Sequence, residues 1–171
     1  MPTNTPNREP EPRFSLDEAL EVLQASPGRV NAAAAGASSA ELHDPLEPGG
    51  WSARDVLAHI RACDRTWGGY VERILDEDHP SFRAESPRST IHRTDFLEQR
   101  FTASLEAFRD DRARLMARLR AVDAAAFART ASVKIPARGI EERSASYYVD
   151  RLAAHEREHV RQIERGLRPG R

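Results

Sequence analysis

The sequence predicts an all-α protein built as a four-helix bundle. Apolar residues recur at helical spacing in four long segments, the composition is rich in helix-forming residues, and no convincing strand lies between the segments. The chain has 171 residues, of which 39% are hydrophobic and 31% are charged, and this suits one domain with its own core.

The first helix is predicted to begin after Ser15. Ser15 and Glu18 have the spacing of a capping box, and an apolar stripe follows at Leu16, Ala19, Leu20 and Leu23. We expect a restart or kink at Pro27, after which the helix continues. Residues 1–13 are rich in proline and charge, so we expect a disordered tail there and assign residues 14–168 to the bundle.

The second helix has a clear start signal. Ser52 is a favourable N-cap, and Asp55 places a negative charge in the first turn. Apolar residues at helical spacing extend the helix to about Leu75, and His59 lies beside this apolar stripe. From Asp76 to Thr90 prolines interrupt the pattern, so we expect a long crossover between the second and third helices.

The third helix is predicted from about Thr94 to Ala121. Arg112 interrupts its apolar face, and we expect this side chain to extend to solvent. Residues 122–143 form a connection whose apolar run is too short to predict a sheet. Ser144 or Ser146 caps the last helix, which carries the most informative motif of the chain.

Charge and composition exclude several classes of protein. The net charge is -1, and the arginines alternate with acidic residues, which argues against nucleic-acid binding. No segment approaches the roughly 20 apolar residues of a membrane span, and we expect no secretory signal. Cys63 is the only cysteine, so no internal disulfide can form. We therefore expect a cytoplasmic protein.

Residues 155–159 of the last helix read HEREH. Two imidazoles four residues apart project from the same helix face, which is the spacing of a metal-chelating pair. Because Leu152 and Ile163 lie on the same stripe, both imidazoles are predicted to face the core. The alternative is a pair of neutral histidines, each hydrogen-bonded to a backbone carbonyl or an acid.

The same letters fit the HExxH pattern of zinc peptidases, in which the glutamate is the general base. The longer form of that pattern needs glycine and histidine where this chain has Gln162 and Arg165. No later helix is predicted that could supply a third ligand, and no strand is available to align a peptide. A zinc peptidase is therefore the weaker interpretation.

His59 is the predicted third ligand, because it lies with the apolar stripe of the second helix and a bundle brings such faces together. With His155 and His159 it makes three imidazoles and an open position, a set that suits Zn, Ni, Co or Fe(II). The spacing does not distinguish these metals. Cys63, one turn after His59, is either a fourth ligand or reactive thiol, or a small buried hydrophobe.

Glu156 is the candidate catalytic residue of the motif. It lies about 60° from His159 around the helix, so it could orient a ligand or accept a proton. The alternative is a solvated glutamate paired with a neighbouring arginine. Trp51 and Trp67 are expected to pack between helices rather than to bind substrate.

Three segments of the chain resemble those of the DinB-like superfamily of DinB and YfiT-like proteins, which includes bacterial thiol S-transferases. The resemblance covers about residues 15–167. It rests on Gly50-Trp51-Ser52, on the run around His59 and on the closing H-x3-H. It implies a bundle with an up-down-down-up path and a divalent metal held by His59, His155 and His159.

The resemblance also implies a function. Family members suggest a metal-dependent enzyme, a thiol S-transferase or a hydrolase, that activates a low-molecular-weight thiol or water for attack on a small electrophilic substrate. The alternative is a non-enzymatic metal-binding or stress-response bundle. A homodimer is expected in either class.

Overall fold

The computed structural model describes residues 9–168, which form a helical bundle with one small sheet. The long helical segments are α1 (Leu16–Ala34), α3 (Ala53–Cys63) with its continuation α4 (Gly69–Asp76), α6 (Phe101–Arg120) and α7 (Ala145–Gly166). The short helices α2 (Ser39–His43) and α5 (Pro87–His92) lie in the connections. Helix α1 packs against α6 and α7, and α3 packs against the same two helices, so the four-helix bundle is present.

Side-chain caps begin α1, α3 and α7 where the sequence placed them. Ser15 and Glu18 form a capping box at α1, and Ser52 and Asp55 form another at α3. The Ser144 side chain accepts from the backbone N–H of Tyr147 and caps α7. These starts were predictable because each cap is completed within three residues of the chain.

Pro27 lies inside α1 without interrupting it, so the helix does not restart there. A proline has no N–H to donate to the carbonyl four residues earlier, here that of Leu23. The side chain of Arg112 on α6 replaces the missing donor, with Nη1 2.6 Å from the Leu23 oxygen. The helix therefore continues because a neighbouring helix supplies its hydrogen bond.

Arg112 is buried and does not reach solvent, so that prediction is wrong. Its terminal nitrogens donate to both carboxylate oxygens of Glu156, at 2.7 and 2.6 Å, and Nη2 also donates to Asp64 at 3.0 Å. A buried cation is tolerated here because two carboxylates and a backbone carbonyl satisfy it. Burial raises the pKa of Asp64 to about 6, although the charge of Arg112 acts in the opposite direction.

A three-stranded sheet corrects the prediction of a strictly all-α fold. β1 (Ser81–Arg83) pairs in parallel with β2 (Thr130–Ile135), and β2 pairs antiparallel with β3 (Gly139–Ser144). β1 lies within the crossover that we expected to be irregular. Ala131 and Val133 of β2 are fully buried, but an alternation over six residues is too short to separate a strand from a loop in the sequence.

Helix α6 begins at Phe101 instead of Thr94. Phe96 extended the apolar rhythm of the sequence toward the N-terminus, but it lies in a loop and is buried against α3. The guanidinium of Arg61 covers its ring, 4.1 Å from the centroid. An apolar residue that packs from a loop can thus imitate a helical repeat.

The N-terminal residues 9–13, which we expected in a disordered tail, contact α7. The backbone N–H groups of Arg13 and Phe14 donate to Asp150, at 2.8 and 2.9 Å, and the Ser144 hydroxyl donates to Glu9 at 2.8 Å. The remainder of that predicted tail, residues 1–8, lies outside the described residues. Within residues 9–168, no helix has the length and apolar character that crossing a bilayer requires.

The buried cation leads to a stability prediction. We expect Arg112→Met to lower the free energy of unfolding by about 3–5 kcal/mol, because two carboxylates would stay buried without their cation. Urea denaturation measures this loss. The matched control is Arg114→Met on the same helix, whose side chain is 73% exposed. There we expect a change within about 0.5 kcal/mol. Equal losses in the two variants would contradict the role of Arg112.

Candidate metal centre

Three histidines from two segments of the bundle meet at one place. His59 lies on α3, and His155 and His159 lie one turn apart on α7. Each offers one ring nitrogen, and these nitrogens lie within 4.8 Å of one another. The structure thus brings together the three residues that the sequence selected as ligands.

The distances between the ring nitrogens fit a shared metal ion. Nε2 of His155 is 2.9 Å from Nε2 of His59 and 3.2 Å from Nε2 of His159. Two nitrogens bound to one ion at about 2.0–2.1 Å lie roughly 2.8–3.0 Å apart in octahedral geometry and roughly 3.3–3.4 Å apart in tetrahedral geometry. Only a small adjustment of the imidazoles would be needed to hold an ion between them.

Hydrogen bonding alone satisfies this arrangement poorly. A ring nitrogen of a neutral imidazole carries one hydrogen or one lone pair, so Nε2 of His155 cannot bond well to both neighbours. Nδ1 of His159 donates to the Gln162 side-chain oxygen at 3.0 Å, which leaves a lone pair on its Nε2. Nδ1 of His59 is buried without a hydrogen-bond partner in the described part of the chain. A divalent ion would engage the lone pairs that face the centre.

The surroundings keep two of the three imidazoles neutral at pH 7. Burial, followed by the charges of the other two histidines, lowers the pKa of His59 to about 4. Burial, followed by His159 and Arg151, lowers the pKa of His155 to about 4. A neutral imidazole can bind a metal without first losing a proton.

Cys63 lies at the edge of the histidine cluster, with Sγ 3.6 Å from Nε2 of His59. The residue is 1% exposed, and burial raises the pKa of its thiol. A buried thiol that holds its proton behaves as a small hydrophobe. Of the two roles considered for Cys63, the structure favours this one.

The two tryptophans of the chain contact the histidines from different sides. The Trp51 ring lies 5.1 Å from the His59 ring and stacks near-parallel to the His159 ring at 6.3 Å, and the residue is 41% exposed. Trp67 is buried and meets the His155 ring edge-on at 5.2 Å. Trp67 thus packs between helices as expected, whereas Trp51 forms an exposed wall of the site.

A π-helical turn, Asp64–Gly68, joins α3 to α4 and shapes the site. Such turns widen the helix by one residue and are frequent at functional sites. Here the turn places Asp64 on the Arg112 guanidinium and Trp67 on the His155 ring. This turn was not predicted from the sequence. The one signal for it is an acidic residue, Asp64, directly after Cys63 in the apolar stripe.

Glu156 is anchored in the core. Both its oxygens accept hydrogen bonds from Arg112, and the residue is 1% exposed, so the solvated surface glutamate that we considered is wrong. No hydrogen bond joins its carboxylate to a histidine among residues 9–168. A catalytic role for Glu156 stays a prediction, and its contacts favour holding α7 in place.

The lowered pKa of His59 predicts how the metal-free protein responds to acid. Its folded value of about 4 lies below the ordinary value of 6.5, so the unfolded chain binds more protons between these limits. The contribution of neutral His59 to stability is full above pH 6.5 and is lost as the pH falls toward 4. Relative to His59→Gln, the wild type should therefore lose free energy of unfolding across this window in urea titrations. A constant difference between the two would contradict the shift.

Comparisons with known proteins agree with the fold. A model of the DinB superfamily matches residues 22–163. The structure of YfiT from Bacillus subtilis aligns with a TM-score of 0.73 and 21% identity, covering 93% of this chain and 89% of YfiT. YfiT is described as a probable metal-dependent hydrolase with an unusual four-helix bundle topology. The comparison with curated proteins gives no match. Because the family match spans most of the chain and includes all three histidines, the chain belongs to the DinB superfamily.

Proposed function

We propose that the protein is a metal-dependent enzyme that activates water or a low-molecular-weight thiol for attack on a small electrophilic substrate. The observation that carries the proposal is the convergence of three Nε2 atoms, from His59, His155 and His159, at metal-ligand separations. The likeness to YfiT, described as a probable metal-dependent hydrolase, supports the branch that uses water. The family resemblance supports the branch that uses a thiol.

A bound divalent ion would lower the pKa of a water or thiol ligand and polarise an electrophilic group beside it. The three histidines and Cys63 favour this chemistry. Histidine ligands carry no charge when they are bound through a lone pair, so they would leave the positive charge of the ion undiminished, and the protonated thiol of Cys63 adds no negative charge. The donor set suits Zn, Ni or Fe(II) and does not choose among them.

The Arg112 cluster fixes the ligand helices. Glu156 lies in sequence beside His155, and its two hydrogen bonds to Arg112 restrict the rotation of α7. Asp64, which is bound by the same guanidinium, directly follows the helix that carries His59. Ligands that are held in place before binding give up little conformational freedom when an ion arrives.

The second candidate is a non-enzymatic metal-binding or stress-response bundle. One observation favours it: Glu156, the expected proton acceptor, is fully engaged by Arg112. Against it, structural zinc sites have four protein ligands, whereas this cluster offers three imidazoles beside an exposed tryptophan. The ligand count therefore favours the enzyme.

We expect the purified protein to bind one divalent ion per chain. His59→Ala and His155→Ala should each weaken binding by more than about 100-fold, because even partners that only orient metal ligands are worth 10–100-fold. Isothermal titration and elemental analysis measure affinity and stoichiometry. His43→Ala, a half-buried residue of α2 outside the histidine cluster, is the control and should bind as the wild type does. A wild type without metal, or His59→Ala with unchanged affinity, would overturn the assignment.

Activity assays separate water from thiol as the nucleophile. We expect the Zn-, Ni- or Fe-loaded protein to hydrolyse p-nitrophenyl acetate, or to conjugate cysteine or coenzyme A to 1-chloro-2,4-dinitrobenzene. Either rate should fall to background in His155→Ala, because the ion is lost. A metal-loaded wild type without either activity would favour the non-enzymatic candidate and leave the metal site standing.

A further inference from the structure

A pocket of about 300 Å³ opens beside His155, outside the histidine cluster itself. This volume is enough for a small molecule. Its charged and aromatic lining includes Glu11, Arg13, Trp67, Asp150, Arg151 and His155. One metal ligand is thus part of the pocket wall, so a molecule bound there would lie next to the metal centre.

Arg151 is linked to the metal ligands through Trp67. It precedes His155 by one helical turn, and His155 precedes His159 by another, so the three follow one ridge of α7. The guanidinium of Arg151 rests on the Trp67 ring, with Cζ 4.5 Å from the centroid. The same ring contacts His155 at 5.2 Å. Trp67 therefore forms a floor that runs from Arg151 to His155.

Within residues 9–168, Arg151 contacts the Trp67 ring and forms no ion pair with a carboxylate. The neighbouring acid, Asp150, uses Oδ1 to accept from the backbone N–H groups of Arg13 and Phe14. Stacking on Trp67 occupies a face of the guanidinium and leaves its N–H edges for a bidentate partner.

Arg13 is a second cation on the pocket wall, and Glu11 and Asp150 line the same pocket. Because Asp150 accepts from the backbone N–H groups of Arg13 and Phe14, the guanidinium groups of Arg151 and Arg13 are the pocket groups that suit an anion.

We propose that this pocket is the substrate site and that it takes a small organic anion, whose carboxylate is bound by Arg151 with Arg13 as a second cation. This inference rests on the proposed function, since it takes His155 to be a metal ligand of an enzyme. The anionic group would hold the substrate on the Trp67 floor, and its electrophilic part would face the histidines. Specificity then comes from an arginine that is not itself a metal ligand.

Benzoate and its neutral analogue benzamide test the proposal without knowledge of the substrate. A Trp51→Phe background leaves Trp67 as the only tryptophan, so its fluorescence reports occupancy of the pocket. Binding is measured on the full chain in both the metal-free and the Zn-loaded form. We expect benzoate to bind at least about tenfold more tightly than benzamide in both forms, because a charged hydrogen bond is worth about 1.5–3 kcal/mol.

Variants of Arg151 test whether this side chain causes the preference for benzoate over benzamide. We expect Arg151→Met to weaken benzoate binding by about tenfold or more, and Arg151→Lys to retain part of the affinity. Arg165→Met, an exposed arginine of the same helix outside the pocket, is the matched control and should bind benzoate as the wild type does. Zinc affinity should be unchanged in the Arg151 variants, because none of them removes an imidazole.

The outcomes also separate the pocket from the metal centre. Benzoate binding that depends on Arg151 in the metal-free form supports the pocket even if the protein proves to bind no metal. Binding only to the Zn-loaded form and without dependence on Arg151 means direct ligation of the ion, and it overturns the proposal. Equal affinities for benzoate and benzamide, equal losses in Arg151→Met and Arg165→Met, or no benzoate binding to either form also overturn it.

Discussion

The buried guanidinium of Arg112 is the interaction on which the rest of the bundle depends. It donates to the Leu23 carbonyl in α1, to Asp64 in the π turn and to Glu156 in α7, so one side chain of α6 reaches all the other long segments. The cation needs these partners because it has left water. Two of them belong to the segments that carry the histidines, so the contacts that neutralise Arg112 also position the candidate metal ligands.

Features that depend on residues close together in the chain could be predicted from the sequence, and features that depend on contacts between distant residues could not. The caps at Ser15, Ser52 and Ser144 are completed within three residues, and the pair His155 and His159 is defined by one helical turn. The third histidine could be chosen because it lay on an apolar stripe and the fold brings such stripes together. The set of three therefore followed from periodicity combined with one assumption about the fold.

The features that were missed depend on contacts across the chain. Arg112 finds its partners 89, 48 and 44 positions away, and no local pattern distinguishes such an arginine from one that extends to water. The same holds for β1, whose partner strand β2 begins near residue 130. Phe96 imitated a helical repeat from a loop because it fills a gap against α3. In each case tertiary contacts, and not the local sequence, determine where the residue or strand lies.

His59 and His155 are 96 positions apart in the chain. An ion bound by both would be a cross-link between the second long helical segment and the last, and global unfolding would have to break it. By mass action, occupancy at one hundred times the dissociation constant adds about 2.7 kcal/mol to stability. A change in metal supply would then change the lifetime of the folded chain as well as the number of active sites.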